Sequence, residues 1–307
     1  MPCTDPLKML GEKSTSMTCT REIEVNPELT IKLDYSKNNN PIAIFEAISL
    51  YIKAYKEFGQ LMTNSIGIKE KFEFNLTGVE VSSILSKLVA VTNFLDSSCQ
   101  KTFYSAGNQT FCELANIDRT ESEEEVERLA SILESKLSEG MPNQLVDSHV
   151  DRQALAYVLQ SFSNANSSMS KDETVVFNSP DTENAKCNFN TNWRFTGNPS
   201  EMFQGKTTPH INNLLLQVKV PVNEGMAAWT FKCEKLGQTF SARIIDSAWL
   251  EKYQNGFEPL NPLDIIEAEV SYDIYEPPKG KGTPVIRNAK IKKINGIQRF
   301  TSAQYGL

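Results

Sequence analysis

The stretch "WTFKCEKLGQTFSARIIDSAWLEKYQNG", Trp229 to Gly256, decides the fold of the C-terminal third. Its first half alternates: Trp229 and Phe231 share one face of a strand, and Phe240 and Ala242 share a face of the next, with a tight turn at Leu236-Gly237. Alternation at period two is the mark of a half-buried strand. The second half changes period. Trp249, Leu250 and Tyr253 form a single helical stripe, and Asn255-Gly256 stops the helix. Upstream, "LLLQVKVPV" predicts another strand, closed by a turn at Asn223-Glu224-Gly225. Downstream, "DIIEAEVSYDIY" and "TPVIRNAKIKKINGI" predict two more around the hairpin loop "PPKGKG". Three strands, one helix and two strands is the element order of an OB-like small β-barrel, in which the helix plugs one end between the third and fourth strands. Closing the sheet also removes its exposed edges.

North of this barrel, at residues 207–307, the periodicity is mixed, so the chain reads as α+β. Residues 1–20 form a polar, unpatterned arm, and 21–178 a strand-and-helix domain. Residues 179–206, rich in Asn, Thr, Ser and Pro, form a connecting segment in which Trp193, Phe195 and Phe203 call for packing partners. In the first domain Asn40 and Pro41 predict a helix start, because a side-chain acceptor and a residue lacking N–H both suit the first turn. Ile44, Phe45, Ile48, Tyr51, Ile52, Tyr55 and Phe58 are its expected buried face. "KFEFNLTGV" predicts a strand with Phe72, Phe74 and Leu76 on one side, and residues 80–95 a second helix. Ser122 with Glu125 is a capping box for a third helix ending at Gly140. Residues 150–165 predict a fourth helix, and "TVVFN" a strand.

The run Trp229-Thr230-Phe231, then Ala242-Arg243-Ile244-Ile245-Asp246, Trp249-Leu250 and Asn261-Pro262-Leu263-Asp264 before a strand, resembles the C-terminal segment of uncharacterised bacterial proteins associated with mobile elements and defence loci. Leu263 departs from the glycine usual before that Asp. The shared motifs are structural in kind, so the resemblance implies a barrel and a bacterial setting and carries no active site.

Composition narrows the function classes. The 307 residues carry a net charge of -7, spread unevenly. Residues 201–307 hold 13 Lys and Arg against 11 Asp and Glu, while the rest of the chain holds 18 against 27. An acidic body with a mildly basic barrel argues against wholesale coating of nucleic acid and leaves room for a local basic face. No apolar run reaches the length of a membrane span, and the N-terminus lacks the basic start and apolar run of a secretory signal, so a cytoplasmic protein without membrane contact is expected. The six cysteines (Cys3, Cys19, Cys99, Cys112, Cys187, Cys233) include no Cys-x-x-Cys pair and read as reduced thiols.

Catalytic signatures are sparse. His149 and His210 have no Cys or carboxylate at metal-ligand spacing, so no metal is expected. No phosphate loop, no dinucleotide fingerprint and no Gly-x-Ser-x-Gly elbow occurs, and no cofactor is expected. Cys99 or Cys112 with His149 is a conceivable nucleophile pair, with free thiols in a loop or strand as the plainer reading. Glu267 and Glu269 share a strand face and read as solvated. One constellation combines bases and aromatics. Lys279, Lys281, Arg287, Lys290, Lys292 and Lys293 cluster on the last hairpin, and Lys232, Lys235 and Arg243 lie near Trp229, Phe231 and Phe240. OB-like barrels bind single strands with such a set, the cations following phosphates and the rings stacking on bases. The competing reading puts the rings in the core and uses the lysines to blunt a strand edge.

Three function classes follow. The first is a non-enzymatic interaction component of a bacterial assembly, of the anti-phage defence or mobile-element kind, with a protein partner. The second is a nucleic-acid-binding protein acting through the barrel. The third is a nuclease or hydrolase whose carboxylates are scattered along the chain.

Overall fold

A computed structural model describes residues 27–35, 40–80, 84–91, 95–141, 148–180, 182, 185–225, 227–278 and 282–300. The expected arm at 1–20 and the basic residues Lys279 and Lys281 lie outside the described residues.

The first half contains β1 (Glu28–Asp34), α1 (Pro41–Ser65), β2 (Glu73–Glu80), β3 (Ile84–Val91), α2 (Ser97–Cys112), β4 (Arg119–Thr120), α3 (Glu123–Gly140), α4 (Arg152–Ser167), β5 (Thr174–Asn178), β6 (Lys186–Phe189) and β7 (Arg194–Phe195). Five strands form an antiparallel sheet in the order β2-β3-β1-β5-β6. Its inner face packs on α1, α2 and α4 through a cluster of rings, among them Tyr55, Phe58, Phe111, Phe162 and Phe177.

Local chemistry explains the helix starts. Asn40 Oδ1 accepts from Ile42 N at 3.1 Å ahead of Pro41. Ser122 Oγ accepts from Glu125 N, and the Glu125 carboxylate accepts from Ser122 N at 2.9 Å, completing the capping box. Of the face expected to be buried on α1, Ile44, Ile48, Tyr51, Tyr55 and Phe58 are buried, whereas Phe45 is 57% exposed and Ile52 only partly buried. At about 100° per residue, Phe45 and Ile52 fall to one side of the line through the other five.

Two elements correct the sequence reading. Residues 80–95, expected as a helix, supply β3. Ile84, Ser86, Leu88 and Ala90 alternate inward, and β3 lies between β1 and β2, so its backbone is paired on both edges. The short apolar run satisfies either period, and the two neighbouring strands decide it. Residues 97–112, read as a polar loop or strand, form α2. Its buried face is partly polar, which hides the helical period. Thr102 Oγ1 donates to Gly140 O at 2.6 Å, Gln100 Nε2 to Leu95 O at 3.1 Å and Thr110 Oγ1 to Ala106 O at 2.8 Å.

The expected connecting segment also folds into this half. Cys187, Phe189, Trp193, Phe195 and Met202 belong to the first core, and Trp193 Nε1 donates to Thr120 Oγ1 at 3.0 Å.

The second half is β8 (Lys206–Val220), β9 (Trp229–Cys233), β10 (Gln238–Ile244), α5 (Ser247–Gln254), β11 (Ile265–Glu276) and β12 (Val285–Gln298). They close a barrel in the order β10-β12-β11-β8-β9, antiparallel throughout except β10 with β12. Counted along the barrel, the third strand pairs in parallel with the fifth and the helix follows the third, which is the OB-like arrangement. Trp229, Phe231, Phe240, Ile266, Val270 and Ile291 fill the interior. On α5, Leu250 enters this core, while Trp249 and Tyr253 lean half-exposed on Trp229 at ring separations of 6.1 and 4.8 Å.

The two aspartates of the runs quoted above, Asp246 and Asp264, have structural work. Asp246 accepts from Trp249 N at 3.2 Å as the α5 cap and from Ile294 N at 3.0 Å. Buried Asp264 accepts from Asn261 N at 2.9 Å, Phe300 N at 3.0 Å and Arg299 at 3.0 Å, tying the start of β11 to the end of β12.

Candidate functional site

β10 and β12 meet over only two residue pairs, Arg243 with Lys290 and Ile244 with Ile291. Before that point the strands splay, and at the far end Gln238 Nε2 reaches across to Pro284 O at 2.7 Å. The opening between them joins the space under α3 and the start of α4 in a cleft of about 810 Å3. The barrel wall of the cleft carries Thr239, Ser241, Arg243, Arg287 and Lys290, and the helical wall carries Ser131, Glu134, Ser135, Ser138, His149 and Arg152.

A β-bulge shapes the barrel wall. Ser271 opposes Lys290 and Asp273 opposes Arg287, so β12 carries one residue more than β11 between those pairs. Asn288 takes the strained backbone there, with φ 53°, and its side chain donates to Asp273 at 2.7 Å. An Asn tolerates that conformation better than most residues. Beyond the bulge Ala289 packs inward and Lys290 lines the cleft.

Arg287 closes the floor between the two halves. Its guanidinium lies 3.9 Å from the centre of the Tyr275 ring and 5.4 Å from that of Phe203, and it forms an ion pair with Glu127 of α3. Arg152 donates to the same Glu127 at 2.8 and 3.1 Å and also pairs with Glu134. Tyr275 Oη donates to Glu123 at 2.8 Å across the same joint. Burial pulls the Arg287 pKa down, Glu127 opposes this, and the neighbouring Arg152 adds to the fall. Burial alone would raise the Glu134 carboxyl, but the His149 hydrogen bond, the Arg152 charge and the Val150 N–H outweigh it and hold it below the ordinary range.

The expected basic residues thus part company. Lys290 and Arg243 line the cleft. Lys232 is exposed on β9 directly opposite Thr239, extending the barrel wall outward, and Lys235 is exposed in the following turn. Lys292 and Lys293 are exposed farther along β12, away from the cleft, and Arg287 belongs to the joint. The aromatics expected near them, Trp229, Phe231 and Phe240, point into the barrel core, as the plainer reading held. The hydroxyls of α3 and the Asn288 bulge were not foreseen as site residues. Only the Ser spacing 131, 135, 138, one helical face, hints at them in the sequence.

The nucleophile pairs do not assemble. Cys112 lies beside Cys187, and Cys99 is pushed up to about 11 by burial and by Asp96, away from a reactive thiolate. The Ser138 and Ser148 hydroxyls bond each other at 2.8 Å, and Ser148 donates to Glu134 O. His210 stacks on Tyr272 at 5.5 Å. Among the described residues no three His, Cys, Asp or Glu side chains gather as a metal site, and no helix is long and apolar enough to cross a membrane. Comparison with known proteins finds no matching family, no matching curated protein and no matching solved structure.

Proposed function

We propose that the chain acts by binding, and that the cleft takes a single-stranded nucleic acid by its phosphates. The observation that carries this reading is a wall of donors: Lys232, Thr239, Ser241 and Lys290 run from the outer face of β9 and β10 into the splayed seam, with Arg243 buried at its base. Side chains of these types offer cations and hydroxyls to phosphate oxygens. With Trp229, Phe231 and Phe240 inside the barrel, those rings give the bases no stacking platform, so recognition rests mainly on the backbone and tolerates sequence.

The test is fluorescence anisotropy of the full chain with short single-stranded DNA and RNA and a duplex control. Three phosphate contacts give a salt slope of about -2, hence a loss of roughly 20-fold in affinity between 50 and 200 mM salt. Lys232→Glu with Lys290→Glu should abolish the binding. No retention at low salt, or retention indifferent to both changes, rejects the reading.

A protein partner is favoured by a separate observation. Ile42 and Phe45 on α1 are 68% and 57% exposed, and β2 returns antiparallel to α1 with Leu76 58% exposed. The direction follows from the Lys56–Glu73 ion pair and the Tyr55–Phe74 ring contact. On this reading the chain is a component of a larger cytoplasmic assembly. A bacterial defence or mobile-element setting rests on the resemblance of the C-terminal motifs alone. Phe45→Glu should then disrupt the assembly without lowering the stability of the isolated chain.

A further inference from the structure

Cys112 is the last residue of α2 and is exposed, whereas Cys187 sits on β6 and is 1% exposed. Their sulfurs are 3.7 Å apart. The two side chains are held in register from both sides. Asn108 Nδ2 donates to Ala185 O at 3.3 Å on one side, and on the other Asn190 Nδ2 donates to Leu114 O at 3.2 Å and Ile117 O at 3.0 Å. Asn108 lies four positions before Cys112, and Ala185 two positions before Cys187, so the clamps bracket the sulfur pair closely.

We propose that Cys112 and Cys187 form a reversible disulfide by exchange with a low-molecular-weight disulfide such as oxidised glutathione. The bond needs sulfurs about 2.0 Å apart, a shift that side-chain rotation supplies when the backbones are already adjacent. The exposed Cys112 thiolate attacks one sulfur of oxidised glutathione, and one glutathione thiolate leaves. The Cys187 thiolate then attacks the Cys112 sulfur of the mixed disulfide and expels the second glutathione. Two protein thiols are oxidised, one glutathione disulfide is reduced, and the two protons that the protein thiols give up end on the two departing glutathione thiolates. Accessibility fixes the order, because only Cys112 meets the reagent. Burial and the neighbouring Cys112 sulfur push the Cys187 thiol up, which disfavours its thiolate and slows its attack. The closed bond pins α2 to the edge strand of the sheet across 75 residues of sequence.

The test treats the full chain with oxidised glutathione and maps it by trypsin and mass spectrometry without reduction. Each partner falls in a peptide with a single cysteine, residues 102–119 and 187–194. The expected result is a linked pair of these peptides, reversed by dithiothreitol, with a melting temperature raised by about 5–10 °C over the reduced chain. Cys112→Ser, an exposed change that keeps the fold, should remove both the link and the redox dependence of melting. A mixed disulfide that stays on Cys112, or links to other cysteines only, overturns the proposal. So does a melting shift that survives Cys112→Ser.

Discussion

Replacing Arg287 by Ala tests whether this residue joins the two halves or contacts a ligand. In the folded chain its side chain is 9% exposed, with Tyr275 3.9 Å beneath it. Removing one partner of a buried ion pair costs about 3–5 kcal/mol, mainly because the other charge is stranded. Here Glu127 keeps Arg152, with bonds of 2.8 and 3.1 Å, and so is not stranded. The change also relieves the burial of Arg287 and its repulsion by Arg152, which together pull its pKa down. Against this stands the loss of a desolvated cation–π contact, about 2 kcal/mol. The expected balance is a destabilisation of about 2–3 kcal/mol, read as a fall of roughly 5–10 °C in the melting temperature of the full chain. Arg287→Lys keeps the charge but not the flat face over Tyr275, so it should fall between. Oligonucleotide binding, measured well below the melting range, should stay within a factor of about two of the unaltered chain, since a residue outside the phosphate track leaves the contact number unchanged. A stability change below about 0.5 kcal/mol, with binding lost, would refute the assignment of Arg287 to the joint.

Three further outcomes are expected. Ile48→Ala, at a position 5% exposed, should cost about 2–5 kcal/mol in urea unfolding, whereas Phe45→Ala, 57% exposed, should stay within about 0.5 kcal/mol. Trp249→Ala should cost only about 2 kcal/mol, because the ring is half-exposed, and Leu250→Ala about 2–4 kcal/mol; the opposite ranking would place Trp249 in the barrel core. The third concerns acid. Burial would raise the Asp264 carboxyl above its ordinary 3.8, but the Asn261 and Phe300 N–H groups and Arg299 outweigh burial and lower it. A carboxyl lowered by folding contributes stability above its ordinary value and loses it as the pH falls through the folded value. Unfolding midpoints should therefore drop between about pH 4 and pH 2, and Asp264→Asn should show a smaller drop over that window.

How much of this was legible in the sequence depended on whether one residue type had one job. The Ser122–Glu125 box and the Asn40-Pro41 start act within one turn of helix, so they read directly. The barrel followed from alternation, because each of its strands buries one face. β3 did not, since "ILSKLVAV" has no strong period until β1 and β2 flank it. α2 was hidden by its own buried hydrogen bonds: Gln100, Thr102 and Asn108 look like loop residues and donate to Leu95, Gly140 and Ala185, all outside the helix. The site was half legible. Lys232, Arg243 and Lys290 stand out as bases near a barrel seam, but nothing in the chain separates them from Arg287, whose carboxylate partner Glu127 lies 160 positions earlier. The rings that accompany the lysines in sequence turn inward, because alternation puts neighbours on opposite faces.

Hydrogen–deuterium exchange of the full chain, with and without a short single strand at low salt, tests the binding cleft most directly. The account predicts new protection at residues 238–243 and 285–290 and along α3 at 131–138, the walls of the cleft, with the outer face of α1 unchanged. Protection confined to other surfaces, or an exchange pattern indifferent to the oligonucleotide, would contradict it.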